Sequence, residues 1–306
     1  MQGRGVFPQR TSFVPSRWLA LPAQFAYPMV MPTTTLDSLG DVAALLEALR
    51  PLPPGLLGEL AWSFLRASPR SPAEDTQRMV GRLSPPPRVE GLGLVPRRDP
   101  FLLVANHFQA PQFWIGWVAA AITAAVATAR EPGSRDLHWV ILSEWRWFEV
   151  AGHWVPNPLS SLLFPRAARS WGLIPMPSRP SDVAGRARAL RRVLVYLGRS
   201  RTAGPPNPEP VGMFPEGRAS VALEEARPGT GAFLYRVSGL GVPLLPVGVH
   251  LEEDTLVVSF GAPFALAGLP PGDLDGWARR QVMVAIGRLL PREMWGVHAG
   301  AIDEMR

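Results

Sequence analysis

From residue 88 onwards, short apolar runs typical of β-strands alternate with longer segments typical of helices. The strand candidates are FLLVA (101–105), HWVIL (138–142), VGMF (211–214), PLLPVGVH (243–250) and TLVVSF (255–260). Helices are predicted near residues 111–129, 159–170, 182–199, 229–239 and 273–290. This alternation predicts an α/β fold, with a mixed, largely buried β-sheet flanked by helices.

Residues 1–87 lack this alternation and are predicted to form an N-terminal arm and a helical annex. Leu36 to Leu49 and Leu56 to Leu65 have the apolar spacing of helices, and PLPP at 51–54 separates them. The first thirty residues mix aromatic side chains with prolines, so they form either a packed extended arm or a segment lying on a membrane. SPPP at 84–87 marks the boundary to the α/β domain, residues 88–306.

The composition excludes several kinds of chemistry. The chain has no cysteine, so disulfides, thiolate metal sites and a cysteine nucleophile are excluded. It also has no lysine, which excludes Schiff-base and P-loop lysine chemistry. No His, Asp and Glu residues have metal-ligand spacing, and no glycine-rich loop has a nucleotide fingerprint. We therefore predict no metal and no resident cofactor.

The formal net charge of +6 favours anionic partners: phosphorylated substrates, acidic lipid headgroups or nucleic acid. Nucleic acid is the least favoured, because no groove-binding module accompanies the arginines. The chain does not start with charged residues followed by a continuous apolar run, so no signal peptide is predicted.

The segment from Phe113 to Ala129 contains no charged residue. As a helix it would span roughly 25 Å, which is short of the ~30 Å hydrocarbon core of a bilayer. We predict a helix buried in the protein rather than a membrane span.

The helix predicted at 182–199 has Arg188, Arg192 and Arg199 on one face. The opposite face is apolar and consists of Val183, Leu190, Leu194 and Leu197. This arginine face is either an ordinary solvated surface or a contact for acidic headgroups or an acidic acyl carrier.

Four short blocks carry polar residues at or near predicted strands. Asn106 and His107 follow FLLVA, and MFPEGRAS (213–220) places Glu216 at the end of another strand, where α/β sheets present ligands. The other two blocks are GLIPMPSR (172–179) and PLLPVGVH, a strand interrupted by Pro246.

In this order and at these separations, the blocks resemble those of the lysophospholipid and glycerol-phosphate acyltransferase family, which includes 1-acylglycerol-3-phosphate acyltransferases. That family carries NH-x4-D, Gly-x-x-Phe-Ile-x-Arg, Phe-Pro-Glu-Gly-Thr-Arg-Ser and Val-Pro-x-x-Pro-Val blocks. The resemblance covers about residues 88–265. It implies a glycerol-3-phosphate acyltransferase-like fold and transfer of a fatty acyl group from acyl-CoA or acyl carrier protein, as co-substrate, to a hydroxyl of a lysophospholipid, glycerol phosphate or glycolipid.

The resemblance also implies roles for individual residues. His107 matches the general base, which takes the proton of the acceptor hydroxyl; an imidazole with an ordinary pKa near 6.5 suits that task. Asn106 precedes it in the same block and is expected to help bind the substrate. The residues Phe214, Pro215, Glu216 and Gly217 match the block that holds the acceptor.

Three departures from the family pattern bear on the site. Gln112 stands where the family has the Asp that orients the His, so a hydrogen-bond acceptor is kept while the negative charge is lost. Arg218 lies one position earlier than the arginine of the third block, and Arg179 one position later than that of the second. Both remain candidates for binding a phosphate, with Arg166 and Arg169 in reserve.

The sequence leaves two functions open. The first is an O-acyltransferase of lipid biosynthesis, cytoplasmic and peripheral on the inner face of the cell membrane, with an anionic membrane surface as partner. The second is a non-catalytic acyltransferase-like protein that binds lipid or an acyl carrier.

Overall fold

The computed structural model describes residues 52, 54–110, 115–143, 146–150, 153–156, 158–177, 179, 181–200, 207–268 and 272–305. The strands in these residues are β1 (Arg88–Glu90), β2 (Leu102–Ala105), β3 (His138–Leu142), β4 (Arg146–Val150), β5 (His153–Pro156), β6 (Ile174–Met176), β7 (Val211–Met213), β8 (Leu244–Glu252) and β9 (Thr255–Phe260). The α-helices are α1 (Pro54–Arg66), α2 (Pro72–Val80), α3 (Ile115–Ala129), α4 (Pro158–Ser170), α5 (Val183–Tyr196), α6 (Thr230–Gly239), α7 (Leu274–Gly287) and α8 (Ala299–Glu304). All five predicted strands are present, and the five helices predicted in this domain end within about one helical turn of their expected limits.

Seven of the strands form one sheet in the order β1-β9-β8-β2-β7-β3-β6. Strands β8 and β9 are antiparallel, and every other neighbouring pair is parallel. Strands β4 and β5 form a separate antiparallel pair. The predicted mixed sheet is therefore confirmed.

Both faces of the sheet are buried. Successive side chains of a strand point to opposite faces, so alternate residues of one strand belong to different clusters. Leu102 and Val104 of β2 belong to a cluster that packs under α5, α6 and α7. Leu103 and Ala105 belong to a second cluster, which packs against α3 on the other face. This arrangement confirms the prediction of a largely buried sheet with helices on both sides.

Helix α3 is part of the protein core. Its residues from Trp117 to Ala127 are nearly all buried, and Val118, Ile122 and Val126 pack against the sheet. The prediction of a buried helix is thus confirmed. None of the helices described is both long enough and apolar enough to cross a membrane.

The described part of the annex consists of α1 and α2, which pack on the outer side of α3. Leu56 and Leu60 of α1 and Met79 of α2 share a cluster with Trp117 of α3. Asp136 fixes the start of α2 by accepting hydrogen bonds from the Ser71 hydroxyl (2.8 Å) and the Ala73 amide (3.0 Å). The helix predicted at 36–49 and the aromatic arm before it lie outside the described residues.

The buried face of α5 differs slightly from the predicted one. Ala189, Val193 and Leu197 are buried against the sheet, whereas Leu194 packs at the edge of the cluster. Val183 is 49% exposed, because it stands in the first turn, where the helix begins outside the core.

Candidate active site

The candidate site lies where β2 and β7 end. These neighbouring strands are parallel, with Val104 opposite Met213, so their carboxyl ends meet at the same edge of the sheet. His107 follows β2 by two residues and Glu216 follows β7 by three. The structure therefore brings these two residues together at one edge of the sheet.

Asn106 joins the end of β2 to the middle of β8. Its side-chain amide donates a hydrogen bond to the Val249 carbonyl (2.8 Å), and its carbonyl oxygen accepts one from the Val249 amide (2.7 Å). The residue is 3% exposed. The Asn106 side chain thus continues the strand pairing and fixes the position of the following residue, His107.

The carboxylate of Glu216 holds the His107 loop by its backbone. One oxygen accepts a hydrogen bond from the amide of His107 (2.5 Å), and the other accepts one from the amide of Glu224 (2.8 Å). The carbonyl of His107 in turn accepts a hydrogen bond from the amide of Ser220 (2.9 Å). Residues 216–220 therefore bind both backbone groups of His107. Glu216 is 2% exposed, so its contacts are with the chain itself.

The imidazole of His107 lies in a stack of three rings. It packs on Phe214 with ring centroids 4.8 Å apart, and Phe214 packs on Trp139 of β3 at 4.6 Å. The indole of Trp139 donates a hydrogen bond to Thr123 of α3 (2.9 Å). Beneath this indole lies Gly212, where a Cβ atom would come within 2.9 Å of the ring. The ring stack therefore needs glycine at this position of β7.

Burial lowers the pKa of His107 to about 4; the nearby Arg227 also lowers it, while a hydrogen bond to the backbone of Arg218 opposes the shift. The imidazole is therefore neutral at pH 7 and has a lone pair that can accept a proton. Within the described chain, no group forms a hydrogen bond with its buried Nδ1.

Glu216 shows the opposite shift. Burial raises its pKa to about 7, and this outweighs the hydrogen bonds from the amides of Glu224 and His107, which lower it. A considerable fraction of this carboxyl is therefore protonated near neutral pH.

Two arginines flank the Glu216 loop. Arg218 forms an ion pair with Glu224 at the surface. Arg227 donates a hydrogen bond from Nε to the carbonyl of Glu216 (2.9 Å), and burial lowers its pKa. Gly217 has a φ of +59°, a backbone conformation that favours glycine. A Cβ atom at this position would also come within 3.2 Å of the Arg227 side chain. Pro215 is buried, and its carbonyl accepts a hydrogen bond from the Arg227 amide (2.9 Å).

The other predicted arginines lie further along the sheet. Arg179 is exposed and follows β6, the edge strand, three positions from β2 in the strand order. Arg166 donates a hydrogen bond to the Leu162 carbonyl (2.7 Å) within α4, and Arg169 is exposed on the same helix. Gln112 lies outside the described residues, so its predicted contact with His107 stays a prediction.

Three residues of the site were not predicted: Trp139, Ser220 and Arg227. Trp139 stands mid-strand in an ordinary apolar run, and no local pattern in the sequence indicates its contact with Phe214. Ser220 and Arg227 follow the FPEG block closely, and that proximity was the available signal.

Comparisons with known proteins find little. No protein-family model matches the chain, and no curated protein matches its sequence. Among solved structures, the 1-acyl-sn-glycerophosphate (LPA) acyltransferase PlsC from Thermotoga maritima is similar over 81% of this chain and 88% of its own, with 16% identical residues and a TM-score of 0.44. At so distant a similarity, the function has to be argued from the residues of this chain.

Proposed function

We propose that this protein is an O-acyltransferase that moves a fatty acyl group from a thioester to a hydroxyl of a lipid-type acceptor, with His107 as general base. The observation that carries the proposal is the place of His107, whose imidazole is neutral and lies where the parallel strands β2 and β7 end. Two hydrogen bonds fix its backbone and Phe214 fixes the plane of its ring. A neutral imidazole held rigidly at the carboxyl end of a buried sheet is suited to proton abstraction.

The reaction needs one base and no redox partner. The acceptor hydroxyl gives its proton to the neutral imidazole of His107, and its oxygen forms a bond to the carbonyl carbon of the thioester. The tetrahedral intermediate then loses the thiolate as the carbon–sulfur bond breaks. The imidazolium returns the proton to the thiolate, so the products are an ester and a free thiol.

The position of the arginines supports an acidic substrate. Arg218 and Arg227 both lie beside the Glu216 loop, close enough for Arg218 to lower the pKa of Arg227. Glu224 offsets the charge of Arg218, with which it forms an ion pair, whereas Glu216 is partly protonated near pH 7 and offsets less of the charge of Arg227 than an ionised carboxylate would. A phosphate on the acceptor or donor is therefore electrostatically favoured next to His107.

We place the enzyme at the surface of an anionic membrane, on its cytoplasmic side. Leu57, Trp62 and Leu65 of α1 are between 43% and 57% exposed, and an apolar helix face of this kind can lie in a lipid interface. The net charge of +6 adds attraction to acidic headgroups.

A non-catalytic protein that binds lipid or an acyl carrier is the second candidate. Gln112 in place of the family Asp favours it, because a charged orienting group is lost. The lowered pKa of His107 also favours it, because the imidazole is a weaker base than a free one.

The test is transfer of labelled palmitate from palmitoyl-CoA and from a palmitoyl-loaded acyl carrier protein to lysophospholipids, glycerol 3-phosphate and glycolipids. His107→Ala should abolish transfer while donor binding remains. His250→Ala, which removes another buried histidine from β8, is the control and should keep activity. Equal background from the wild type and His107→Ala on every donor and acceptor, with donor binding intact, would show that the protein only binds.

A further inference from the structure

We infer that the exposed arginine face of α5 docks an acidic acyl carrier protein. This inference rests on the proposed function and names its donor: the acyl group arrives on a carrier protein. The face consists of Arg188, Arg191, Arg192 and Arg199, the last of which lies just after the helix.

Three of these arginines share one side of the helix, because Arg191 and Arg192 follow Arg188 by three and four residues. Arg199 lies beyond the end of the helix, which is Tyr196. All four are exposed, while Ala189 and Val193 on the opposite side are buried against the sheet. Helix α5 contains no acidic residue, and the carboxylate of its N-cap Asp182 bonds to the Gly185 amide.

This face has no acidic partner in the part of the chain that the structure describes. Arg192 donates to the Tyr196 hydroxyl (3.4 Å), and Arg199 donates to the Leu240 carbonyl (2.9 Å). Some exposed arginines elsewhere are paired with carboxylates, as in Arg98–Glu131 and Arg292–Asp303. What distinguishes Arg188, Arg191 and Arg192 is that they lie next to one another on a helix that contains no acidic residue. Like charges at i, i+3 and i+4 repel one another, and carboxylates from a partner would remove that cost.

A protein fits this face better than a membrane does. The apolar side of α5 is buried in the core, so the helix cannot lay an apolar face into lipid. Its one large exposed apolar side chain is Val183, at its first residue. A rigid row of guanidinium groups is suited instead to paired, bidentate contacts with the carboxylates of an acidic helix.

The place of α5 in the fold suits delivery of an acyl group. The helix follows β6 and begins at the edge of the sheet where His107 lies, with the exposed Arg179 just before it. Strand β6 is three strands from β2, a separation of about 14 Å at the usual strand spacing. The end of α5 lies at the opposite edge, where the amide of Glu209, just before β7, donates a hydrogen bond to the Tyr196 carbonyl. A carrier therefore has to dock towards the start of α5 for its flexible prosthetic arm to carry the thioester to His107.

The test compares Arg188→Glu/Arg191→Glu/Arg192→Glu with a control of equal charge change, Arg82→Glu/Arg97→Glu/Arg135→Glu. The control arginines are exposed and have no ion pair among the described residues. Calorimetry with a purified palmitoyl-loaded acyl carrier protein should show binding about tenfold weaker for the α5 variant, and nearly unchanged for the control. Wild-type binding should weaken as salt is added.

Kinetics separate the donor from the chemistry. The α5 variant should lose kcat/KM for the carrier-bound donor by about the same factor, and keep it within about twofold for palmitoyl-CoA. If the wild type uses neither donor, the proposed function fails while calorimetry still decides the docking. The inference is overturned if the wild type does not bind the carrier, if both variants lose equally, or if the α5 variant loses only binding to anionic vesicles.

Discussion

The buried carboxyl of Glu216 should make the effect of Glu216→Gln depend on pH. Its pKa is raised by burial from 4.5 to about 7, so the folded chain holds this proton more tightly than the unfolded chain. Keeping the carboxylate ionised therefore costs stability above pH 7, and the cost disappears as the pH falls towards 4.5. At about 1.4 kcal/mol for each unit of pKa, the cost changes by about 2–3 kcal/mol between pH 5 and pH 8.

Glutamine removes this cost but brings another. Its side chain has one acceptor oxygen, whereas Glu216 accepts from two backbone amides, those of His107 and Glu224. One buried N–H is left facing an NH₂ group, which costs about 1–3 kcal/mol at any pH. Glu216→Gln should therefore be clearly less stable than the wild type at pH 5 and close to it at pH 8.

The assay is urea unfolding of both proteins at pH 5 and pH 8, with the difference in the free energy of unfolding compared between the two pH values. His107 titrates in both proteins, so its contribution largely cancels in that difference. Glu131→Gln makes the same chemical change at a surface carboxylate paired with Arg98 and is the control. A stability difference between Glu216→Gln and the wild type that is the same at both pH values would refute the reasoning.

Two further predictions concern the ring stack and the membrane. Gly212→Ala should destabilise the fold by about 1–3 kcal/mol, because its Cβ atom would displace the Trp139 ring. Gly239→Ala is the control, since a Cβ atom there meets nothing within 4 Å. Equal melting temperatures of the two variants would contradict the packing argument. Trp62→Glu should weaken sedimentation with anionic liposomes, because it removes an aromatic anchor and adds a negative charge on α1. Val297→Glu, at another exposed apolar residue, should have less effect, and equal losses would remove α1 as the membrane contact.

The sequence predicted strands with mostly apolar residues. Strands β2, β8 and β9 bury most of their length, whereas β3 buries only its first two residues and β7 is only three residues long. Strands β1 and β6 were missed because charged residues flank Val89 in the first and Pro175 interrupts the second. Helix α2 was missed as well, although Ser71 with Pro72 is a common way for a helix to start.

The proximity of His107 and Glu216 could be predicted because parallel strands end at the same edge. The role of Glu216 could not be predicted, because a carboxylate that follows a strand can bind either a substrate or backbone amides. The structure shows both of its oxygens on backbone amides. The ring stack could not be predicted either, because it requires β3 and β7 to be neighbours and no local sequence pattern predicts the order of the strands.

Because Glu216 binds backbone amides, His107 rather than Glu216 discriminates between an acyltransferase and a protein that only binds lipid or an acyl carrier. A carboxylate that holds two loops together is needed for folding whether or not the protein is an enzyme, so its presence does not favour catalysis. His107 is different, because the contacts that fix its loop are made by its backbone and could be made by any residue except proline. Its ring is a polar group with a buried Nδ1 that has no hydrogen-bond partner in the described chain, which costs about 1–3 kcal/mol. An apolar side chain of similar size could stack on Phe214 without that cost. The buried Nδ1 of His250 also has no hydrogen-bond partner in the described chain, so this cost alone does not assign a chemical task. His107 differs from His250 in its place, because it follows the carboxyl end of β2, where α/β sheets present ligands.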